Sequence, residues 1–280
     1  MTNKAELKVK LISKPSNLKQ LVYTAMRTCY SDQDPREIFE DCLTENWFDC
    51  SNCTEVKIDC ATCEQEKEKV ENKILKLIYK VVNSGHTSTL EHAYFVFAVS
   101  GISRVVLAQD TRHRHKSFSV KSQRYVKYHT PFKYIIPESI RNNKEIIEYL
   151  NKKYTVQELY EEHMANCQSI YGKFLEVGVP ADDARFVFPN GCETSMVTSC
   201  NLRELIHVCG LRLCSNAQKE IQQMYKKVVE EVVKQEPWLK KYLKSKCELL
   251  GYCDEIHCCG KKQKKQNMTF IDEDCNEESV

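Results

Sequence analysis

The feature that most constrains this chain is an apolar run at residues 93–100, where Tyr94, Phe95, Val96, Phe97, Ala98 and Val99 follow one another without a polar break. It is far shorter than the roughly 20 apolar residues of a membrane span. It suits a strand buried in a sheet, which other elements must cover. Leu7, Val9 and Leu11 alternate as a first strand would. Helical spacing brings Leu18, Leu21, Val22, Ala25, Met26 and Cys29 onto one stripe behind a Ser16 cap. It does the same for Val70, Ile74, Leu77, Ile78 and Val81, with Gly85 as the stop.

The pattern further predicts a short helix over 102–109 and helices over 138–150 and 155–177, the last ended by Gly178 and Pro180. A final long helix starts at Asn201, which forms a capping-box pattern with Glu204. Its stripe is Leu202, Leu205, Cys209, Leu213, Ala217, Ile221, Val228 and Val232. Residues 32–66 are acidic and polar, hold five Cys, and read as an insertion. Residues 1–240 thus form one main domain, and 241–280 a Cys-rich, acidic tail whose last part, 261–280, is expected to be mobile.

The 280 residues are 42% hydrophobic, enough to bury a core. Net charge is only +2, which gives no global pull toward nucleic acid or membrane, so anion binding has to come from local clusters. The N-terminus carries no apolar run like a signal peptide, and a cytoplasmic protein is expected. In that setting most of the 16 Cys should be reduced.

The densest chemistry lies at Arg112, His113, Arg114, His115 and Lys116, followed by Lys121, Ser122, Gln123, Arg124 and Tyr125. Guanidinium groups present paired planar donors suited to phosphate and carboxylate. Two such groups a few residues apart can hold two phosphates. A solvated basic face or an RNA-binding patch is the plainer reading of a basic run taken alone.

Arg-His-Arg, seven residues, then Ser resembles the signature of the flavin-dependent thymidylate synthases, here Arg112, His113, Arg114 and Ser122. Three further blocks follow that family's order. Gly85, His86, Ser88, Glu91 and His92 resemble its upstream block, and Gln109 stands three residues before Arg112 as in the family. Gly178, Val179, Pro180, Ala184, Arg185, Phe188 and Pro189 resemble a downstream block. Asn201, Leu202, Arg203, His207, Leu211, Arg212, Ala217, Gln218, Glu220 and Ile221 resemble its last helix. The similarity runs from about Leu7 to Trp238, apart from the insertion. Ser119 and Val120 stand where many members have Asn-Glu, Asn216 where some have His, and His207 where some have Asn.

The resemblance implies an α/β fold in the broad sense, a mixed or mostly antiparallel sheet flanked by long helices. It implies reductive methylation of dUMP to dTMP, with methylenetetrahydrofolate as one-carbon donor, FAD reduced by NADPH as hydride source, and no covalent enzyme nucleophile. By the same resemblance Ser88, Arg112, His113, Arg114, Asn201, Arg203 and His207 would contact FAD. Gln109, Arg112, Ser122, Gln123, Arg124, Arg185 and Arg212 would contact dUMP. His86 would lie near flavin and folate, and Arg212 would polarise the uracil. FAD sites between subunits of a homotetramer are also implied. Independently, Arg203 and His207 share a helix face while Arg212 points about half a turn away from Arg203.

Cys50 and Cys53, with Cys60 and Cys63, form two Cys-x2-Cys pairs, a spacing that can hold zinc, and Cys42 is close by. A reduced, metal-free insertion is the alternative. Cys247, Cys253, Cys258 and Cys259, beside His257, form a second candidate cluster. A metal-binding nucleic-acid-binding protein would use the Cys pairs and the basic motif, but it leaves His86, Arg185 and Arg212 without a role. A zinc-dependent nucleotide deaminase needs Pro-Cys-x-x-Cys, and this chain has no Pro-Cys dipeptide.

Overall fold

The computed structural model describes residues 4–43, 61–128 and 131–265, without the side chains of 43 and 61–70. Its centre is a four-stranded sheet in the order β1-β2-β6-β3, built from β1 (Lys8–Ser13), β2 (Tyr94–Ser103), β6 (Glu193–Asn201) and β3 (Lys116–Val120). All three pairings are antiparallel, as the expected mostly antiparallel sheet requires. The apolar run is β2, a central strand. Register places Phe97 opposite Leu11 and Thr198, and Val99 opposite Met196. With Phe95 and Cys200 these residues form one buried face.

Over that face pack α1 (Leu18–Thr28), α3 (Ala61–Asn83), α8 (Leu202–Arg212) and α9 (Lys219–Gln235), closing the main core. α2 (Pro35–Leu43) lies against α1 and buries Ile38 in the same core. The other face carries Val96, Ala98, Ser195 and Ser199, with Tyr94 and Val197 exposed. No helix among the described residues is long and apolar enough to cross a membrane.

A bulge at Gly101 sets up the site. Its φ is +71°, and a Cβ there would meet the Glu6 carbonyl oxygen at 1.9 Å, so only glycine fits. Just beyond it, Ser103 caps α4 (Arg104–Asp110) by accepting from the Val106 N–H. The Ser103 N–H and hydroxyl both donate to Glu220 of α9, at 2.7 Å each. A capped and pinned α4 then delivers Gln109 and Asp110 to the end of β3.

A second, smaller core gathers Phe132, Met164, Cys167 and Cys192, with Tyr128, Tyr134, Tyr160 and Phe188 packed on it. It lies under α6 (Val156–Glu176), which starts in a full capping box between Thr155 and Glu158. α7 (Ala181–Ala184) follows, leading into a 3-10 turn over Arg185–Val187.

Three helix expectations need correction. The 138–150 helix is instead a short α5 (Glu138–Asn142) and a hairpin of β4 (Ile146–Tyr149) and β5 (Lys152–Thr155). Leu150 and Asn151 form its two-residue turn, both at positive φ, the geometry that matches strand twist. Ile146, Ile147 and Tyr149 are strand formers that periodicity alone cannot separate from a helix. The long helix from Asn201 breaks after Arg212 and restarts at Lys219. Gln218 recaps it by accepting from the Ile221 N–H, and Gln222 donates to the Cys214 carbonyl at 2.7 Å. Finally, Asn17 rather than Ser16 occupies the cap of α1, without a side-chain hydrogen bond.

Candidate active site

The basic motif straddles β3. Arg112–His115 precedes this edge strand, and Ser122–Tyr125 forms a turn after it. Extended chain rises about 3.3 Å per residue, so the two halves stand on the order of 15–20 Å apart.

At the first end, side chains alternate in and out. Arg112, Arg114 and His115 are exposed, whereas His113 is buried. Lys116 is turned in as well, and its ammonium lies 2.7 Å from Asp110 and 2.7 Å from the Tyr225 hydroxyl. Tyr225 donates in turn to Asp110, which is fully buried, so this charge pair is hydrogen-bonded on both sides. The His113 N–H donates to the Asp110 carbonyl at 3.1 Å, tying the motif to α4.

Arg212, the last residue of α8, donates from Nε to His113 Nε2 at 3.0 Å and from Nη2 to the Gln109 carbonyl at 3.2 Å. A guanidinium only donates, so Nε2 must carry the lone pair and the proton sits on Nδ1. That Nδ1–H faces Glu204 Oε1 at 3.8 Å, a carboxylate that is itself buried. Burial, followed by the neighbouring Arg212 charge, lowers the His113 pKa to about 4. A neutral imidazole is what the contact needs, because imidazolium would lose its acceptor and repel Arg212.

α8 presents its cations in two directions, as helical geometry requires. Arg203 is exposed and ion-paired with Glu91 from the 3-10 turn over Thr87–His92. His207 is exposed too, its ring edge-on to His113 at 6.4 Å. Asn201 caps α8, accepting from the Glu204 N–H at 2.8 Å. Ser88 is exposed on the adjoining turn. His86 Nδ1 lies 2.8 Å from the Tyr30 hydroxyl.

At the second end, the Ser122 hydroxyl oxygen accepts from the Arg124 and Tyr125 N–H groups, which leaves its own O–H free to donate. Gln123 donates to Cys192 Sγ. Arg124 pairs with the Asp182 carboxylate at 2.8 Å, while Arg185 donates to the Asp182 carbonyl at 2.9 Å. Asp182 therefore draws together two arginines far apart in sequence. The structure also assembles residues that sequence reasoning missed, Asp110 and Tyr225 under the motif and Glu204 behind His113, and it turns Lys116, read only as part of the basic run, inward onto the first two. Of the missed residues only Glu204 left a signal, as the capping partner of Asn201.

Cys50, Cys53 and Cys60 lie outside the described residues, and of Cys63 only its place in α3 is described. Burial pushes the thiols of Cys192 and Cys200 up, to about 11 and about 12. Protonated at neutral pH, they are poor nucleophiles.

A family model described as thymidylate synthase complementing protein matches residues 10–238. The flavin-dependent thymidylate synthase of Pyrococcus furiosus is 36% identical over 209 residues, covering 70% of this chain and 81% of that one. That of Clostridium tetani is 33% identical over 272 residues, covering 91% and 94%. Thymidylate synthase X from Helicobacter pylori, solved with FAD and dUMP, shares the fold at a TM-score of 0.56 and 23% identity, over 85% of this chain and all of that one. With the signature intact and matches of this extent, the chain belongs to the flavin-dependent thymidylate synthase family.

Proposed function

We propose that this enzyme converts dUMP to dTMP by reductive methylation, with Arg212 as the catalytic group, methylenetetrahydrofolate as one-carbon donor and FAD reduced by NADPH as the hydride source. The observation that carries the reading is the Glu204–His113–Arg212 arrangement: a guanidinium locked at two of its nitrogens, with donor capacity left over. Held beside the pyrimidine, it stabilises negative charge on the ring carbonyl and N3 and so makes C5 nucleophilic. Its position is set before substrate arrives, so little reorganisation is needed at the moment of reaction.

FAD supplies hydride chemistry when bound. Arg112 and Arg114 fit its phosphates: both are exposed, and neither has an ion-pair partner among the described residues. Ser88, Asn201, Arg203 and His207 lie on or beside α8, where the rest of that cofactor would rest, with His86 toward the folate. Gln109, Ser122, Gln123, Arg124 and Arg185 would complete the dUMP site, Ser122 as a hydrogen-bond donor. The raised thiols of Cys192 and Cys200 agree with a route that uses no covalent enzyme nucleophile.

One small nucleotide cannot reach both ends of β3 within one chain. The reading therefore includes a homotetramer in which Arg112 of one subunit and Arg124 of another face a shared site. The open sheet face with Tyr94 and Val197 offers surface for such packing. The substrates are small molecules, with no nucleic acid or membrane involved, and the setting is cytoplasmic. The test is an anaerobic titration: added NADPH should bleach bound flavin, and methylenetetrahydrofolate with dUMP should then yield dTMP. A protein that binds no flavin and forms no dTMP overturns the proposal.

A further inference from the structure

The C-terminal end of α8 and the tail meet at a small cavity whose wall holds Cys214, Cys247, Cys253 and Cys259. The four thiols arrive from three places. Cys214 follows α8, Cys247 lies in α10 (Lys246–Leu250), and Cys253 and Cys259 lie in the loop beyond it. None of them takes part in the chemistry proposed above.

The loop is folded to bring its sulfurs to that wall. Gly251 ends α10 in the left-handed region at φ +84°. The Cys253 N–H donates to the Gln263 carbonyl and its own carbonyl accepts from the Lys265 N–H, which closes the loop on itself. Asn216 donates to the His257 carbonyl at 2.6 Å, and Lys246 pairs with Asp254, so the loop is tied to the turn after α8 and to α10.

Metal binds the thiolate, so each of these cysteines must release its proton when metal enters. Cys258 Sγ accepts from the Gly260 N–H at 3.4 Å and its S–H donates to the Lys262 carbonyl at 3.4 Å, but it is not part of the cavity wall. The wall also carries Lys246, Asp254 and Glu255, with Lys246 already paired to Asp254, so the charge of the thiolates falls to the metal itself to balance.

The segment also has a physical need for a cross-link. Past Leu243, among the described residues, its buried side chains are only Ser245, Cys247 and Cys253, too little apolar surface to hold a loop of this length.

We propose that Cys214, Cys247, Cys253 and Cys259 form a structural zinc site that fastens the tail to the end of α8. As the side chains stand, no three potential ligands among the described residues are drawn together at metal spacing. The thiols must rotate about χ1 into the cavity they share, to Zn–S distances of about 2.3 Å in a tetrahedron.

The test is elemental analysis of the full-length chain, produced with zinc in the medium and dialysed under reducing conditions. The expected content is about one zinc per chain from this site. It should fall to about a tenth or less in Cys214→Ser and in Cys259→Ser, and persist in the Cys53→Ser/Cys60→Ser double variant. Where a serine variant fails to fold, wild-type protein answers the question. A chelator should release the metal, lower the melting midpoint, and expose about four further thiols to a thiol-reactive dye, with Cys247 and Cys253 among them by peptide mapping. Absence of zinc, another metal in its place, or zinc lost only with Cys53 and Cys60 would each overturn the proposal.

Discussion

The two ends of β3 carry similar chemistry in opposite surroundings. At the first, the side chains of His113 and Glu204 are 7% and 9% exposed, and those of Lys116 and Asp110 are 4% and 0%. At the second, Arg124 and Asp182 pair at 58% and 38% exposure. Water hardly dilutes the first set, so its charges act at nearly full strength and must be fully partnered. The second set is screened, and such a pair contributes about 0–1 kcal/mol. Burial thus makes one end a rigid positioning device. The other end gains strength only when a ligand or another subunit covers it.

The largest effect expected from this contrast is at Arg212. Arg212→Ala should lower kcat by about 10²–10³-fold, the scale of removing one preorganised donor from developing charge. The flavin content should stay near that of the wild type. A loss confined to the KM for dUMP would mean that Arg212 only binds, and the contrast would lose its catalytic meaning.

His113 comes next. His113→Gln keeps an acceptor for Arg212 but loses the fixed tautomer, and should lower kcat/KM about 10- to 100-fold, the range for a hydrogen bond to a charged group. It has a pH signature too. The folded value of about 4 lies below the ordinary 6.5. Between these, the unfolded chain takes up a proton that the folded chain refuses. Stability is therefore full above pH 6.5 and drains as pH falls toward 4, by up to roughly 3 kcal/mol. Melting midpoints measured from pH 7 to 4.5 should fall less steeply in His113→Gln than in the wild type. Equal slopes would show that another group controls the acid limb.

The inward turn of His113 and Lys116 also marks how far the sequence could be read. The order of Arg112, His113, Arg114 and Ser122 was legible because spacing along one chain survives folding. Which of them face inward was not, since that depends on Asp110, Tyr225 and Glu204, brought in by α4, α9 and α8. β2 announced itself through an unbroken apolar run. β4 did not, because Ile146, Ile147 and Tyr149 fit a helix stripe as readily as a strand. Cys214 fell inside the span expected to be one long helix, off its apolar stripe. Only the break after Arg212 turns it toward Cys247, so no spacing rule could have joined them.

At the second end, Arg124→Ala and Arg185→Ala should each raise the KM for dUMP about tenfold with little change in kcat, the mark of binding shared by ground and transition states. The wild-type KM should itself rise with salt, because these groups are screened until covered. If kcat fell along with it, the outer end would be as deeply engaged in the reaction as the inner one. Wild-type KM values that ignore salt would show the same.

The smallest effect tests the comparison where it is weakest, at the Glu91–Arg203 pair. It is as exposed as the outer end, at 44% and 53%, yet it sits on α8 beside the inner one. If exposure sets the energy, Glu91→Gln should change stability by at most about 0.5 kcal/mol. Freed from its carboxylate, Arg203 should then bind an anionic cofactor more strongly, tightening the flavin dissociation constant about threefold at low salt and scarcely at all at high salt. If flavin binding weakens instead, Glu91 is aiming Arg203 rather than competing for it. Position on α8 would then matter more than exposure, and the inner device would extend along the whole helix.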